Sequence, residues 1–166
     1  MFTIRFITLL MLLAAPLTLA VDTTVNAAQD ALLKTAATRL DQLAINNPET
    51  DWIFDFRAQP NYTYSPGSVV NADAATFPGL TTWGMTLAMI QLGPCAMLPP
   101  HFHPRATNLV VAVEGTTKTY MIEENGAPMV NQTLTPGKMT IFPTGSVHTL
   151  QNLGTPTQSP TPIAQS

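Results

Sequence analysis

The 166-residue chain contains three histidines, in two short segments: "PPHFHPRATN" at Pro99–Asn108 and "FPTGSVHTLQN" at Phe142–Asn152. Neutral imidazole is a good donor to divalent transition metals. His101 and His103 are one residue apart, so on an extended segment both point to one face and Phe102 to the other. Strand rise puts them about 7 Å apart along the backbone, close enough to converge on one ion. A lone histidine is more often a satisfied core or surface residue than a ligand. Here every imidazole of the chain lies in two segments expected to face each other, which favours a metal site.

The elements that must position these residues are mostly strands. Leu32, Leu33, Ala36, Leu40 and Leu43 recur at helical spacing and predict one helix over residues 28–47, stopped at Asn46-Asn47-Pro48. Beyond Asp51 the pattern predicts short strands: Trp52–Phe56, Met85–Leu92, a both-faces-apolar "NLVVAVEG", Met139–Phe142 and Val147–Gln151. Two more strands are expected either side of Glu124-Asn125-Gly126, since Asn-Gly is a strong hairpin signal. "NYTYSPGS" reads as loop, and the Pro/Ser/Thr-rich residues 154–166 as a flexible tail. Short hairpin-linked strands after one helix imply an all-β sandwich or barrel, with its domain over residues 51–153.

Composition narrows the partners. Charged residues are 10% and apolar ones 45% of the chain, and the net charge is −3 with no basic cluster. Nucleic acid and anionic membrane surfaces both call for Lys/Arg stripes, so neither is expected as a partner. "MFTIRFITLLMLLAAPLTLA" has a positive start, an apolar run broken by Pro16 and small residues near Ala20, the pattern of a signal peptide over residues 1–20. Secretion agrees with two N-glycosylation sequons, at Asn61 and Asn131. The only cysteine, Cys95, is then unusual for a secreted chain, and a buried thiol, an intermolecular bond and a missing partner all stay open.

The two histidine segments resemble the paired boxes of germin-like and spherulin-like proteins of the cupin superfamily. The first box, G-x5-H-x-H-x(3,4)-E-x6-G, reads here Gly93-PCAMLPP-His101-Phe-His103-PRAT-Asn108-LVVAVE-Gly115, with longer spacing before the first histidine. The second, G-x5-P-x-G-x2-H-x3-N, is matched without a gap by Gly137-KMTIF-Pro143-Thr-Gly145-SV-His148-TLQ-Asn152. The resemblance covers roughly Ala28 to Leu153 and implies a cupin jelly-roll β-barrel behind an N-terminal helix. It also implies a metal site of three histidines and one glutamate, usually with Mn²⁺ and with Fe²⁺ as the other candidate, leaving positions open to water or a small-molecule or anionic ligand.

The chain departs from that pattern twice. Asn108 stands where the family has glutamate, so the expected ligand set is His101, His103, Asn108 and His148. A neutral amide leaves both charges of the ion uncompensated, which predicts weaker Mn²⁺ binding. Glu114 cannot substitute, since strand rise puts it about 20 Å from Asn108. The second departure is the short segment after Asn152, in which no strand is evident. It leaves open whether the barrel lacks its closing C-terminal strands, as in a shortened form of the chain, and exposed edges would then favour a homo-oligomer. The family relatives often pair the cysteine at the Cys95 position just past the second box, and this chain has no such partner.

Three functions follow from different classes. One is a secreted, cell-wall or stress-associated Mn²⁺-binding cupin with little or no turnover. A second is a manganese oxidoreductase of oxalate oxidase or superoxide dismutase type. The third is a metal-free carbohydrate or small-ligand sandwich using Trp52, Trp83, Tyr62 and Tyr64. The missing glutamate charge favours the first.

Overall fold

The computed structural model describes residues 23–46 and 49–154 and the backbone of 161–165. The signal-peptide reading of residues 1–20 lies outside the described residues. No helix among them is long and apolar enough to cross a membrane.

The single helix predicted over residues 28–47 is instead two, α1 (Ala27–Thr35) and α2 (Arg39–Ile45). The break comes from Thr38, whose hydroxyl accepts from the Asp41 N–H while the Asp41 carboxylate accepts from the Thr38 N–H, a reciprocal cap that starts a new helix. Of the predicted apolar stripe only Leu33 is buried, and Leu32, Leu40 and Leu43 are exposed. Buried Asp30 fixes α1 to the body by accepting from Thr81 Oγ1 at 2.9 Å.

Trp52–Phe56 is not a strand. Glu49–Trp52 and Phe56–Ala58 are short 3₁₀ turns, and the Asp55 carboxylate caps the second by accepting the Arg57 and Ala58 N–H groups. The loop reading of "NYTYSPGS" is cut short by β1 (Gly67–Ala72). The remaining strands are β2 (Leu87–Leu92), β3 (Asn108–Ala112), β4 (Thr117–Ile122), β5 (Val130–Leu134), β6 (Met139–Phe142), β7 (Val147–Asn152) and β8 (Thr161–Gln165).

They form two sheets, ordered β1-β2-β8-β3-β6 and β5-β4-β7. For residues 161–165 strand β8 replaces the tail reading: its backbone pairs antiparallel with both β2 and β3 and fills the place between them. "TPIAQ", with a proline and little apolar alternation, carries almost no strand signal of its own, so neighbouring edges define it. The architecture is the expected all-β one, with the two sheets separate and not one closed barrel. Between them lies the core of Ile90, Leu92, Val110, Ala112, Leu134, Phe142 and Leu150.

Two residues of the sequence boxes join the sheets. Gly93 follows β2 where its α-carbon runs against the Tyr64 carbonyl, leaving no room for a β-carbon. Asn152, buried at the end of β7, donates from Nδ2 to the Leu92 and Gly93 carbonyls at 2.9 and 3.1 Å and accepts the Gly154 N–H at 2.7 Å.

Candidate metal centre

The His-x-His segment lies beside β7 without being a regular strand. Asn152 N donates to Ala96 O, Leu98 N to Leu150 O, and His101 and His148 exchange both backbone bonds at 3.0 and 2.9 Å. From Leu98 to His101 is three residues, against two from Leu150 to His148, so this side carries one extra residue, at Pro99-Pro100. That is a bulge, and prolines fit it because neither has an N–H to leave unpaired. The extra residue decides which side chains face inward. Leu98 packs on the core, so plain alternation would continue inward with Pro100 and Phe102. After the bulge His101 and His103 turn toward His148, and Phe102 is left exposed.

On the other side of the cluster, the turn between β6 and β7 sets His148. Gly145 has φ +84°, a conformation that favours glycine, and its N–H reaches the His103 carbonyl at 2.9 Å. Thr144 N and Oγ1 both bond to Thr107 Oγ1, tying the "PRAT" loop to that turn. Each end of the site is therefore held by the other.

The three imidazoles converge. Ring centroids are 5.1 Å apart for His101–His103, 4.4 Å for His101–His148 and 5.4 Å for His103–His148. One nitrogen from each lies within 4.8 Å of the others. His148, 2% exposed, stacks on Phe142 with centroids 4.1 Å apart. Two tautomers follow from the backbone. His101 Nδ1 lies 2.9 Å from Pro99 O, and His148 Nδ1 2.9 Å from Ser146 O. A carbonyl only accepts, so each Nδ1 carries the hydrogen and each Nε2 keeps its lone pair. Nε2 of His148 is buried with no hydrogen-bond partner, a costly state unless something electrophilic occupies the space it faces.

Protonation is disfavoured in the same place. Burial lowers the His103 pKa, and the neighbouring His101 adds to that. Burial also lowers that of His148, opposed by its bond to Ser146 O and assisted by His101 and His103. Neutral, pre-oriented donors are what a divalent cation needs, and the residues present fit one.

Asn108 opens β3 opposite Phe142 in the register, so it sits next to the ring that backs His148. It is 4% exposed, and its Nδ2 has no hydrogen-bond partner. An unpaired buried amide of this kind costs about 1–3 kcal/mol. A cavity of about 760 Å³ is lined by His101, His103 and Asn108, together with half-buried Val69 and Leu98 and exposed Met85 and Arg105. His148 is not among the residues that line it. Glu114 lies exposed beyond the end of β3 and outside the cluster. The aromatic residues considered for sugars are elsewhere: Trp83 lies against the Arg39 guanidinium at 4.4 Å, Trp52 donates to Asn46 O, and the Tyr62 and Tyr64 hydroxyls bond to each other.

Sequence reasoning missed the proline bulge, the Phe142 platform and Arg105. The first had a signal, two adjacent prolines before the first histidine. The second lay in plain view in "TIFPTG", one residue before the box proline.

These features define a two-sheet β protein with a three-imidazole cluster, two of whose rings line a cavity. Residues 55–159, more than half of the chain, match the family model described as Cupin, and the chain belongs to that family. It is similar to germin-like protein 1-1 of Oryza sativa subsp. japonica, 35% identical over 106 residues, 63% of this chain and 49% of the relative. The chain thus spans about half the length of that curated relative. Among solved structures it is similar to peruvianin-I, a cysteine peptidase from Thevetia peruviana latex, with TM-score 0.62 and 29% identity over 71% of this chain and 72% of that one. A recombinant oxalate oxidase in complex with glycolate shares the fold, with TM-score 0.57 and 22% identity over 71% of this chain and 62% of that one. The germin-like cupin resemblance read from the two boxes is borne out.

Proposed function

We propose that the protein is a secreted Mn²⁺-binding cupin of the germin and spherulin type, associated with the cell wall or with stress, whose business is holding metal and not turnover. The observation that carries this reading is the three-imidazole cluster, with donors within 4.8 Å and two tautomers fixed by carbonyls. His101, His103 and His148 would hold the ion, with Asn108 in the place of the family's glutamate. Without that carboxylate the bound ion keeps more of its charge, which weakens the hold on Mn²⁺ and disfavours cycling to a higher oxidation state. Support for secretion is the apolar leader of residues 1–20 together with the germin-like relatives. Asn61 and Asn131 are exposed sequon residues, and Asn61 Nδ2 donates to Val69 O at 3.0 Å.

A second reading is an oxidoreductase acting on a small anion, and the cavity opening at His101 and His103 favours it. A bound ion there would act as a Lewis acid toward an anionic ligand. Metal analysis of the protein purified from a secreting host, followed by Mn²⁺ titration, tests the first reading; loss of binding in both His101→Ala and His148→Ala is expected. Substoichiometric metal of every kind would overturn it. Peroxide release from oxalate, or superoxide dismutation, by the Mn²⁺-loaded protein would shift the assignment to the second.

A further inference from the structure

Four strands end the two sheets, β1 and β6 in one, β5 and β7 in the other. An end strand offers unpaired backbone groups to any extended chain, and proteins close such edges with covering segments, charges, prolines or short length. Three of the four are closed here. Residues 96–101 bond along β7. On β1, the Val69 and Asn71 carbonyls accept from Asn61 Nδ2 and Thr76 Oγ1. Strand β6 has only four residues, set between Lys138 and Pro143.

Strand β5 has none of these devices. Val130–Leu134 contains no charge, proline or glycine, and every residue in it but Leu134 is exposed. Among the described residues its backbone pairs with β4 alone, and exposed Met129 beside it adds apolar surface. What β5 carries is the sequon Asn131-Gln132-Thr133. The register fixes where that points. Thr117 and Thr119 of β4 are buried, and their partners on β5 are Leu134 and Gln132. Asn131 and Thr133 therefore lie on the other, solvent face, opposite Tyr120 and Lys118. A strand added to this edge would set a side chain about 5 Å from the Asn131 β-carbon. A sugar joined at Asn131 fills that place.

We propose that Asn131 is an N-glycosylation site whose glycan closes the β5 edge against pairing with a second copy of the chain. This rests on the reading that the protein is secreted, because the co-substrate is the lipid-diphosphate-linked oligosaccharide of the secretory pathway. Asn131 Nδ2 bonds to the anomeric carbon of that donor, the bond from that carbon to the diphosphate oxygen breaks, and the amide nitrogen gives up one proton. The glycan takes the part that charge or proline takes at other edges.

The test expresses the full chain with its own leader in a secreting eukaryotic host. Peptide mass spectrometry before and after N-glycosidase digestion reads occupancy at position 131, and light scattering reads molar mass over a concentration series. The secreted wild type should carry the glycan. Asn131→Gln and Thr133→Ala should lose it and form larger species than the wild type at the same concentration, with the β-sheet circular dichroism kept. Thr133→Ser keeps the sequon and should match the wild type, and Asn131→Lys, unglycosylated but charged on the edge, should return to the smaller species. If the variants fold poorly, enzymatic trimming of the folded Asn61→Gln protein, whose remaining sequon is at Asn131, should produce the same shift to larger species. Secreted protein unmodified at Asn131, or glycan removal that leaves the molar mass of the polypeptide assembly unchanged, overturns the proposal while leaving secretion standing. Retention of the chain inside the cell without glycan overturns the secretion reading and this one with it.

Discussion

His101 and His148 exchange both backbone hydrogen bonds, at 3.0 and 2.9 Å, and their rings lie 4.4 Å apart on the same side of that pair. They meet because Pro99-Pro100 inserts one residue into the segment beside β7. Deleting Pro100 should restore plain alternation, bring Phe102 inward and turn both histidines out. The expected result is loss of Mn²⁺ binding with the β-sheet circular dichroism kept; retention of binding would show that the bulge does not set the histidine face.

Phe142 is both a core residue and the platform under His148, 1% exposed and 4.1 Å from the imidazole. Phe142→Ala should cost about 3–5 kcal/mol of unfolding free energy in urea titration. Phe142→Leu keeps most of the volume and should cost about 1.5 kcal/mol or less. If both variants lose stability equally, the ring is not filling the space described.

The histidine pKa directions fix the sign of a pH effect in the metal-free protein. His103 and His148 are held below their ordinary value, chiefly by burial, so the unfolded chain binds more protons than the folded one once the pH drops below the ordinary imidazole range. Their contribution to stability is complete above about pH 6.5 and is lost as pH falls from there toward the depressed folded values. The melting temperature of metal-free protein should therefore fall on acidification through that window. His148→Asn should flatten the slope; an unchanged slope in that variant would place the linkage elsewhere.

Asn108→Glu restores a carboxylate where the family has one. It should tighten Mn²⁺ binding about tenfold or more, since a unit charge a few ångströms from the ion is worth that even at a screened interior dielectric. Isothermal titration of both proteins against Mn²⁺ decides it. Equal affinities would mean that position 108 does not reach the ion.

Cys95, the chain's only cysteine, is a free, exposed thiol whose Sγ lies 3.5 Å from Gly154 O. One equivalent of thiol should react with Ellman's reagent in the native protein, without denaturant. Reaction only after unfolding would contradict the exposure.

The parts of this fold legible in the sequence are those where local pattern and tertiary packing agree. Met139–Phe142 alternates exposed and buried residues along its length, and β7 was foreseen to within one residue at its end. Trp52–Phe56 has the composition of a strand, but the Asp55 carboxylate captures the following N–H groups and curls the chain. Strand β8 was hidden for the opposite reason, its order coming from two flanking edges and not from its residues. The histidines were legible through their spacing, as was the absence of a carboxylate at Asn108. Their facing was not, because it depends on a one-residue bulge that alternation cannot count. Nor was the orphaned Asn108 Nδ2, which becomes visible only when its surroundings are known.

His148 is buried and stacked on Phe142, while His101 and His103 line the cavity. An ion that enters from the cavity meets His101 and His103, which line it together with the exposed Arg105. The Arg105 guanidinium carries the same sign of charge as that ion. Metal capture should therefore quicken modestly as salt screens that repulsion, the reverse of ordinary steered association.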